Sequence, residues 1–246
     1  MKTRKILISQ PAPANNSPYT ELVSKYGIDI DFIPFFHMEP LHGREFRLQK
    51  INILNYTAVV LTSRTAIDAF FKICEEMRIA IPETMKYFCV SEAIALYLQK
   101  YIVYRKRKIF FGGGMISSII DTIGTKHKGE NFLLAVADNG SKADLVKTFA
   151  KSKLKHTPAT MVKTVYSDLR AVDINSYDML VFYSPSDIKS LKENFPNLNC
   201  SLIQFATYGQ TTLKALKAEK LTPTVIAPTV EAPSIAKALS IYFEQK

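Results

Sequence analysis

Short apolar runs alternate with helical patterns along almost the whole chain, and this alternation limits the possible folds more than any other feature. The helical segments carry apolar residues at spacings of three and four, as in Ile116, Ile119, Ile120 and Ile123. Such alternation is typical of parallel sheets covered by helices on both faces. The predicted strands are 5–9, 28–34, 57–62, 86–90, 108–111, 131–137, 160–166, 178–183, 201–207 and 223–227. These are too many for one small sheet, so the sequence predicts two sheets.

One arrangement of strand, hydroxyl cluster and helix occurs twice. In the range 59–67 an apolar run leads into Thr62 and Ser63, and a helical pattern follows. In the range 180–188 the same order returns, with Ser184 in the place of Ser63. A strand that ends at a helix start leaves backbone N–H groups free to bind an anion. The two copies therefore predict a site that holds a polyanion between two similar halves.

A second turn of the same kind follows in each half. Ser91 comes after the strand at 86–90, and Tyr208 with Gly209 comes after the strand at 201–207. Glycine lets a backbone approach a ligand closely. The hydroxyls in these turns are also consistent with ordinary helix caps, because capping and anion binding use the same helix N-terminus.

Two extended segments indicate where domains meet. The range 33–40 is flanked by prolines, which push the preceding residue out of the helical region, and 161–167 is rich in β-formers. If these segments cross side by side, the middle third of the chain is an inserted domain. The predicted limits are 1–35 with 168–246 for the first domain, 41–160 for the inserted domain, and 36–40 with 161–167 for the linker strands. Such a hinge would leave a cleft between the domains.

Charge and hydropathy restrict the partners. The 246 residues carry a formal net charge of +10, which favours anionic ligands. The densest basic run, 101–108, is predicted to be a solvated strand and turn rather than a nucleic-acid surface, so we expect no nucleic acid partner. No apolar stretch approaches the length of a membrane helix, and the N-terminal apolar run is too short for a signal peptide. We therefore expect a cytoplasmic protein with no membrane partner.

The sequence lacks the spacing of several common sites. Cys74, Cys89 and Cys200 form no CxxC pair, and the four histidines show no metal-ligand spacing, so we expect neither a disulfide nor a metal. The glycine-rich range 112–114 is not followed by the Lys-Ser/Thr of a P-loop. It is predicted to be a flexible loop.

The motifs stand in a characteristic order along the chain. They are 7–11, 33–40, 62–66, the Asn139-Gly140 turn, Val165-Tyr166, 182–186, 209–212 and 227–229, with a last helix after them. In this order they resemble the uroporphyrinogen-III synthase family over essentially the whole chain.

The resemblance implies two flavodoxin-like α/β domains, each a parallel sheet with helices on both faces, joined by a two-stranded β-linker with a cleft between them. The implied substrate is hydroxymethylbilane, a linear tetrapyrrole with eight carboxylates, and the product is uroporphyrinogen III. Water leaves the hydroxymethyl group, and the last ring is inverted through a spiro intermediate. The family uses no metal or organic cofactor, and we expect a monomer.

The resemblance also assigns roles to residues. Tyr166 matches the family tyrosine that faces the cleft, and it is expected to donate a proton to the leaving hydroxyl. A tyrosine that merely packs in a strand is the structural alternative. Arg64 is the cation that stands in a motif position, where it would either pair with a substrate carboxylate or be an ordinary surface arginine. The expected substrate-binding residues are Thr62, Ser63, Arg64, Ser91, Asn139, Ser184, Ser186, Tyr208, Gly209, Thr211 and Thr212. Ser91-Glu92 replaces the usual glycine and threonine, so we expect unequal binding by the two halves.

Other functions fit parts of this pattern. A non-enzymatic two-domain α/β binding protein for a small polyanion would keep the hydroxyl-lined turns, but it would need no proton donor at Tyr166. A receiver-type regulator needs an acidic cluster after the first strand, and Ser9-Gln10-Pro11 supplies none.

Overall fold

The chain forms two α/β units, each built around its own sheet. The computed structural model describes residues 4–13, 17–139 and 141–245. One compact unit, the terminal unit, comprises 1–37 and 166–246, and the inserted unit comprises 38–165. The predicted α/β fold with two sheets is confirmed. The domain limits given above stay a prediction.

The secondary structure alternates as the apolar pattern predicts. The strands are β1 (Lys5–Ile8), β2 (Asp29–Phe32), β3 (Phe36–Pro40), β4 (Ala58–Leu61), β5 (Lys86–Cys89), β6 (Ile109–Phe111), β7 (Phe132–Ala137), β8 (His156–Tyr166), β9 (Met179–Phe182), β10 (Gln204–Tyr208) and β11 (Val225–Ala227). The helices are α1 (Pro18–Tyr26), α2 (Gly43–Arg47), α3 (Arg64–Glu76), α4 (Glu92–Tyr97), α5 (Ile116–Ile123), α6 (Ser141–Lys151), α7 (Pro185–Asn194), α8 (Gln210–Ala218) and α9 (Ile235–Glu244).

Both sheets are mainly parallel. The terminal sheet has the order β11-β10-β9-β1-β2, and its neighbouring strands all pair in parallel. The other sheet has the order β3-β8-β7-β4-β5-β6, with parallel pairs from β8 to β6. Apart from the edge strand β3, the chain in each sheet first builds to one side of a starting strand, β1 or β4, and later to the other side. The reversal lies between β1 and β9 in the first sheet and between β4 and β7 in the second.

The strands are apolar on both faces because helices cover both faces. In β1, Ile6 and Ile8 pack with α1 and α9, while Leu7 packs with α7 and α8. In β4, Val59 faces the cluster that contains α3 and α4, and Val60 faces the cluster that contains α5 and α6. All four residues of β4 and of β9 are buried. This burial explains why the strands read as continuous apolar runs rather than as alternating patterns.

The two extended segments at 33–40 and 161–167 do lie side by side. Ser167 donates its N–H to the Phe35 carbonyl at 2.9 Å, and Leu41 donates to Met161 at 2.8 Å, so β3 runs antiparallel to β8. The two strands form one edge of the six-stranded sheet rather than a separate ribbon. β8 also starts earlier than predicted. Pro158 is tolerated there because β3 lies beside only the later half of the strand, which leaves one edge unpaired at the proline.

The basic run at 101–108 contains no strand, because β6 begins only at Ile109. The strand predicted within this run is therefore wrong. Arg105 and Lys108 each lie 3.4 Å from a carboxylate oxygen of Glu83, and these ion pairs belong to an irregular turn. No helix in the described part of the chain is long and apolar enough to span a membrane.

The central strand β9 offers a direct test of the packing. Leu180 is fully buried, and Leu180→Ala should lower the free energy of unfolding by about 2–5 kcal/mol because a cavity remains. The control is Leu202→Ala in the same unit, where the side chain is 70% exposed and the effect should be slight. Urea denaturation measures both. Equal effects of the two substitutions would contradict this core assignment.

Candidate functional site

Each sheet has one place where the topology favours a ligand. The helices that follow β1 and β9 cover opposite faces of the terminal sheet, and the helices that follow β4 and β7 cover opposite faces of the other sheet. A crevice forms outside the carboxyl ends of strands at such a reversal, and ligands of open α/β sheets bind there. Each unit therefore has a candidate site, and each is described by itself.

In the inserted unit the reversal between β4 and β7 holds a pocket of about 470 Å³. Its polar lining comes from Thr62, Ser63, Thr65 and Asn139. Its apolar lining includes Met38, Val90, Ile116, Leu145 and Val162. The structure thus brings together three of the predicted binding residues. Gly140, predicted beside Asn139, lies outside the described residues.

The start of α3 is capped but still has unused donors. Ser63 Oγ accepts from the Ala66 N–H at 3.1 Å, and the Ser63 carbonyl accepts from the Ile67 N–H at 3.2 Å. The N–H groups of Arg64 and Thr65 donate to no described residue. Capping and anion binding are therefore compatible at this turn, because an anion can still accept from the first two helical residues.

Two predicted residues lie outside this pocket. Arg64 is exposed, and its guanidinium carbon lies 5.4 Å from the centroid of the Tyr97 ring. Ser91 precedes the six-residue helix α4 and makes no side-chain cap. Val90, directly before it, does line the pocket. The second hydroxyl turn of this unit therefore contributes an apolar residue instead of its serine.

The glycine-rich loop before α5 is fixed by hydrogen bonds. Gly112 and Gly114 donate to the carbonyls of residues 89 and 90, at 3.0 and 2.8 Å, and Gly113 donates to Ser118 Oγ at 2.8 Å. A Cβ at Gly112 would lie 2.3 Å from that same oxygen, so the close approach requires glycine. These bonds indicate an ordered loop, whereas the sequence predicts a flexible one. All three N–H groups are used, so none is left for a phosphate.

In the terminal unit, the start of α7 is occupied by its own carboxylate. Asp187 Oδ2 accepts from the N–H groups of Tyr183 and Ser184, both at 2.8 Å. Ser184 Oγ accepts from the Ser186 N–H at 3.2 Å, and residue 185 is proline. Asp187 donates its own N–H to the Ser184 carbonyl at 3.2 Å. The turn is self-satisfied, so Ser184 and Ser186 can offer a ligand only their hydroxyls.

Asp187 is a buried carboxyl whose charge is only partly compensated. It is 1% exposed, and burial raises its pKa to about 6, against the opposing effect of the two backbone donors. Ser9 Oγ lies near enough to lower the pKa somewhat, but without the geometry of a hydrogen bond. Neither Ser9 Oγ nor Asp187 Oδ1 finds a hydrogen-bond partner among the residues that the structure describes.

The start of α8 is open, in contrast to α7. Gly209 precedes the helix with a φ of 85° and donates its N–H to the Ala227 carbonyl at 2.7 Å. The N–H groups of Gln210, Thr211 and Thr212 donate to no residue in the described ranges. Thr212 Oγ1 is fully buried and likewise has no partner there. This turn has the unused donors that an anion requires.

The two predicted tyrosines lie at strand ends. Tyr166 is the last residue of β8 and is half-buried. Tyr208 is the last residue of β10, and its ring centroid lies 5.5 Å from that of Tyr183. The proton-donor role of Tyr166 stays a prediction.

The described residues contain no group of three or more His, Cys, Asp or Glu side chains that could hold a metal ion. The three cysteines are unpaired, and burial raises the pKa of the Cys89 thiol to about 12.

One family of known proteins matches most of this chain. Residues 17–237 match the family model described as uroporphyrinogen-III synthase HemD. The chain belongs to the uroporphyrinogen-III synthase family. A curated relative from this family, from Schizosaccharomyces pombe (strain 972), is 24% identical over 262 residues, which cover 100% of this chain and 99% of the relative.

Solved structures of uroporphyrinogen-III synthases share the fold. The structure from Helicobacter pylori 26695 has a TM-score of 0.55 at 15% identity and covers 99% of this chain and 100% of that one. A mutant from Thermus thermophilus has a TM-score of 0.53 at 13% identity, with the same coverage. The predicted family, its enzyme class as a hydro-lyase of tetrapyrrole biosynthesis, and the α/β fold are confirmed. The family implies hydroxymethylbilane as substrate.

Sequence reasoning missed several polar residues at these crevices. Asp187 was not predicted, although an acidic residue three positions after Ser184 is the pattern of a capping box. Ser9 and Thr207 are buried hydroxyls at the carboxyl ends of β1 and β10, and the sequence carries no signal that they would lack partners.

The raised pKa of Asp187 predicts a pH dependence of stability. Between its usual value of 3.8 and about 6, the folded chain binds this proton more tightly than the unfolded chain. The free energy of unfolding should therefore gain up to about 3 kcal/mol from this group as the pH falls through that window. Asp187→Asn should lose this gain, which urea denaturation at pH 7 and pH 4.5 would show.

The control is Asp168→Asn. Its side chain is exposed, and Arg170 lowers the pKa of Asp168 to about 2, so its contribution should be constant between pH 4.5 and 7. If the Asp187→Asn chain and the wild-type chain keep the same difference in stability at both pH values, Asp187 does not titrate in this window.

Proposed function

We propose that this chain converts hydroxymethylbilane into uroporphyrinogen III. Protonation lets the hydroxyl of the hydroxymethyl group leave as water, and an azafulvene cation remains. The cation attacks the substituted α-carbon of the last pyrrole, which gives a spiro intermediate. The bond between that α-carbon and the methylene bridge to the neighbouring pyrrole then breaks. The released methylene bonds the other α-carbon of the last pyrrole, which loses a proton, so the ring ends in the reversed orientation. Water is the sole molecule released.

The observation that carries this proposal is the open start of α8. Three consecutive backbone N–H groups, at 210–212, and the buried Thr212 hydroxyl all lack partners within the described part of the chain. A carboxylate at a helix N-terminus accepts from such donors and is also favoured by the helix dipole. The substrate of the family carries eight carboxylates, and the net charge of +10 attracts such a molecule.

The pocket at the start of α3 supports the same reaction. Its volume of about 470 Å³ falls within the ~300–1,000 Å³ of typical ligand sites. Apolar walls suit the pyrrole carbon atoms, and the hydroxyls of Thr62 and Ser63 suit a carboxylate. A flexible bilane held in one curl reacts far faster along one route than a free bilane does. Orientation of this kind is the proposed source of the ring inversion.

The proposed site contains fewer residues than the site predicted from the sequence. It keeps Tyr166 as the proton donor and the binding residues Thr62, Ser63, Asn139, Ser184, Ser186, Tyr208, Gly209, Thr211 and Thr212. It leaves out Arg64 and Ser91, because neither side chain lines the pocket of the inserted unit. We propose in addition that the two units are the two predicted domains and that the chain acts as a monomer.

An isomer assay tests the proposed function. The purified chain is given freshly made hydroxymethylbilane, the products are oxidised, and the porphyrin isomers are separated. The type III isomer should rise with protein concentration, and heat-denatured chain should give the type I isomer alone. Formation of the type I isomer alone at every concentration of the folded chain would contradict the proposal.

Thr212→Val tests the carboxylate site at α8. Valine has the same shape but no hydroxyl, and the buried hydroxyl of Thr212 has no partner to lose among the residues that the structure describes. The free energy of unfolding should therefore stay equal or rise by about 1 kcal/mol. The KM for the bilane should rise by about tenfold, because a hydrogen bond to a charged group is lost. The control is Thr148→Val in α6, whose hydroxyl donates to the Asp144 carbonyl of its own helix at 2.8 Å; this substitution should leave the KM unchanged.

Tyr166→Phe tests the proton donor. Phenylalanine keeps the ring at the end of β8 and removes the acidic proton, so kcat should fall at least several-fold while the free energy of unfolding changes little. Turnover is measured at saturating bilane, with Tyr56→Phe in the inserted unit as a comparison. An unchanged kcat would remove Tyr166 from the mechanism.

A further inference from the structure

Three tyrosines meet at the reversal of strand order in the terminal unit. Tyr19 lies in the first turn of α1, Tyr183 directly follows β9, and Tyr208 ends β10. The strands β1, β9 and β10 are neighbours, so all three residues lie at the carboxyl edge of the sheet. We call them the three-tyrosine cluster. It stands where an open α/β sheet binds its ligand.

The cluster keeps hydroxyl protons that no described residue accepts. The Tyr19 and Tyr183 oxygens are 2.6 Å apart, and in this pair one hydroxyl donates while the other accepts. The accepting hydroxyl keeps its own proton for a further bond. A hydroxyl that accepts a hydrogen bond becomes a stronger donor, because the bonds polarise one another. Tyr208 makes no hydrogen bond with any described residue, so its proton is available too.

Burial keeps these groups protonated. It raises the pKa of Tyr19 and of Tyr183, the latter strongly. Both hydroxyls are therefore donors throughout the physiological range, and a donor of this kind suits an anion. Phe32 packs edge-on against Tyr19 with ring centroids 5.3 Å apart, which holds the Tyr19 ring in place.

The aromatic rings of Tyr183 and Tyr208 favour a ligand that has a flat ring as well as a negative charge. The Tyr183 and Tyr208 centroids are 5.5 Å apart with an interplanar angle of 30°, and both side chains are half-buried. A flat, electron-rich ring packs well against such faces. A purely aliphatic anion would leave the faces unused, and a neutral aromatic ring would leave the spare hydroxyl proton unused. The free N–H groups at the start of α8 begin two residues after Tyr208.

We propose that the three-tyrosine cluster binds one pyrrole ring of the bilane, with a carboxylate arm of that ring on the spare hydroxyl proton of the Tyr19–Tyr183 pair. This proposal rests on the proposed function. It adds a recognition element that the strand-end serines and threonines do not supply. The three tyrosines act as positioning residues, because they hold a ring and take no part in bond making.

The test removes both paired hydroxyls and keeps both rings. In Tyr19→Phe/Tyr183→Phe, the KM for hydroxymethylbilane should rise by about tenfold or more, with kcat changed less than about twofold, because binding is weakened without loss of the proton donor. Both substitutions are needed, since either hydroxyl left alone still has a proton to donate. Tyr208→Leu should raise KM in the same way, and Tyr208→Phe should restore most of the affinity.

A matched double variant controls for structural damage. Tyr26→Phe/Tyr177→Phe removes two hydroxyls from the opposite ends of α1 and β9, where Tyr26 bonds Glu244 and Tyr177 bonds Asp31. It should leave KM unchanged. Urea denaturation of both double variants shows whether either loses stability. Equal KM values in the wild-type chain and in Tyr19→Phe/Tyr183→Phe would overturn the proposal.

A binding measurement separates this proposal from the proposed function. The chain has 12 tyrosines and no tryptophan, so quenching of tyrosine emission reports ligand binding, and comparison with the Tyr19→Phe/Tyr183→Phe chain shows whether the ligand lies at the cluster. The probe is porphobilinogen, a single pyrrole with one acetate and one propionate arm. Binding that weakens about tenfold in the Tyr19→Phe/Tyr183→Phe chain supports the cluster even if no type III isomer forms. No binding to the wild-type chain, or equal binding to both chains, overturns it.

Discussion

Parallel strands that are buried on both faces place every strand-to-helix turn of a unit at one edge of its sheet. In both units this edge is where polar side chains and helix N-termini meet, although the cores beneath are almost entirely apolar. The reversal of strand order then separates two of the helices and opens a crevice. The pocket with Thr62 and Ser63 lies at one reversal, and the three-tyrosine cluster lies at the other.

The sequence predicts the fold well because buried parallel strands appear as apolar runs in the chain itself. The helix caps Ser63 and Ser184 were also readable, since each follows such a run directly. What the sequence does not show is which donors remain free once the chain has folded. The Tyr19–Tyr183 pair joins residues 164 positions apart, so it depends on the strand order and not on any local pattern.

Several buried hydroxyls at the carboxyl edge of the terminal sheet lower the stability of the fold. Ser9, Thr207 and Thr212 each bury an oxygen that has no partner within the described ranges. Such groups typically cost about 1–3 kcal/mol each, so an optimised core would not contain them. Their position at the ligand edge of the terminal sheet fits a site that is kept ready for polar groups from outside.

The start of α7 shows how small the difference is between a structural turn and a binding turn. Its sequence looks as suitable for an anion as those of α3 and α8, yet Asp187 already fills the position that a foreign carboxylate would take. The Asp187 carboxylate therefore blocks this helix start for any other anion. A chain of this family with a neutral residue at this position would have free donors at the start of α7, and with them a different preference among multiply charged ligands.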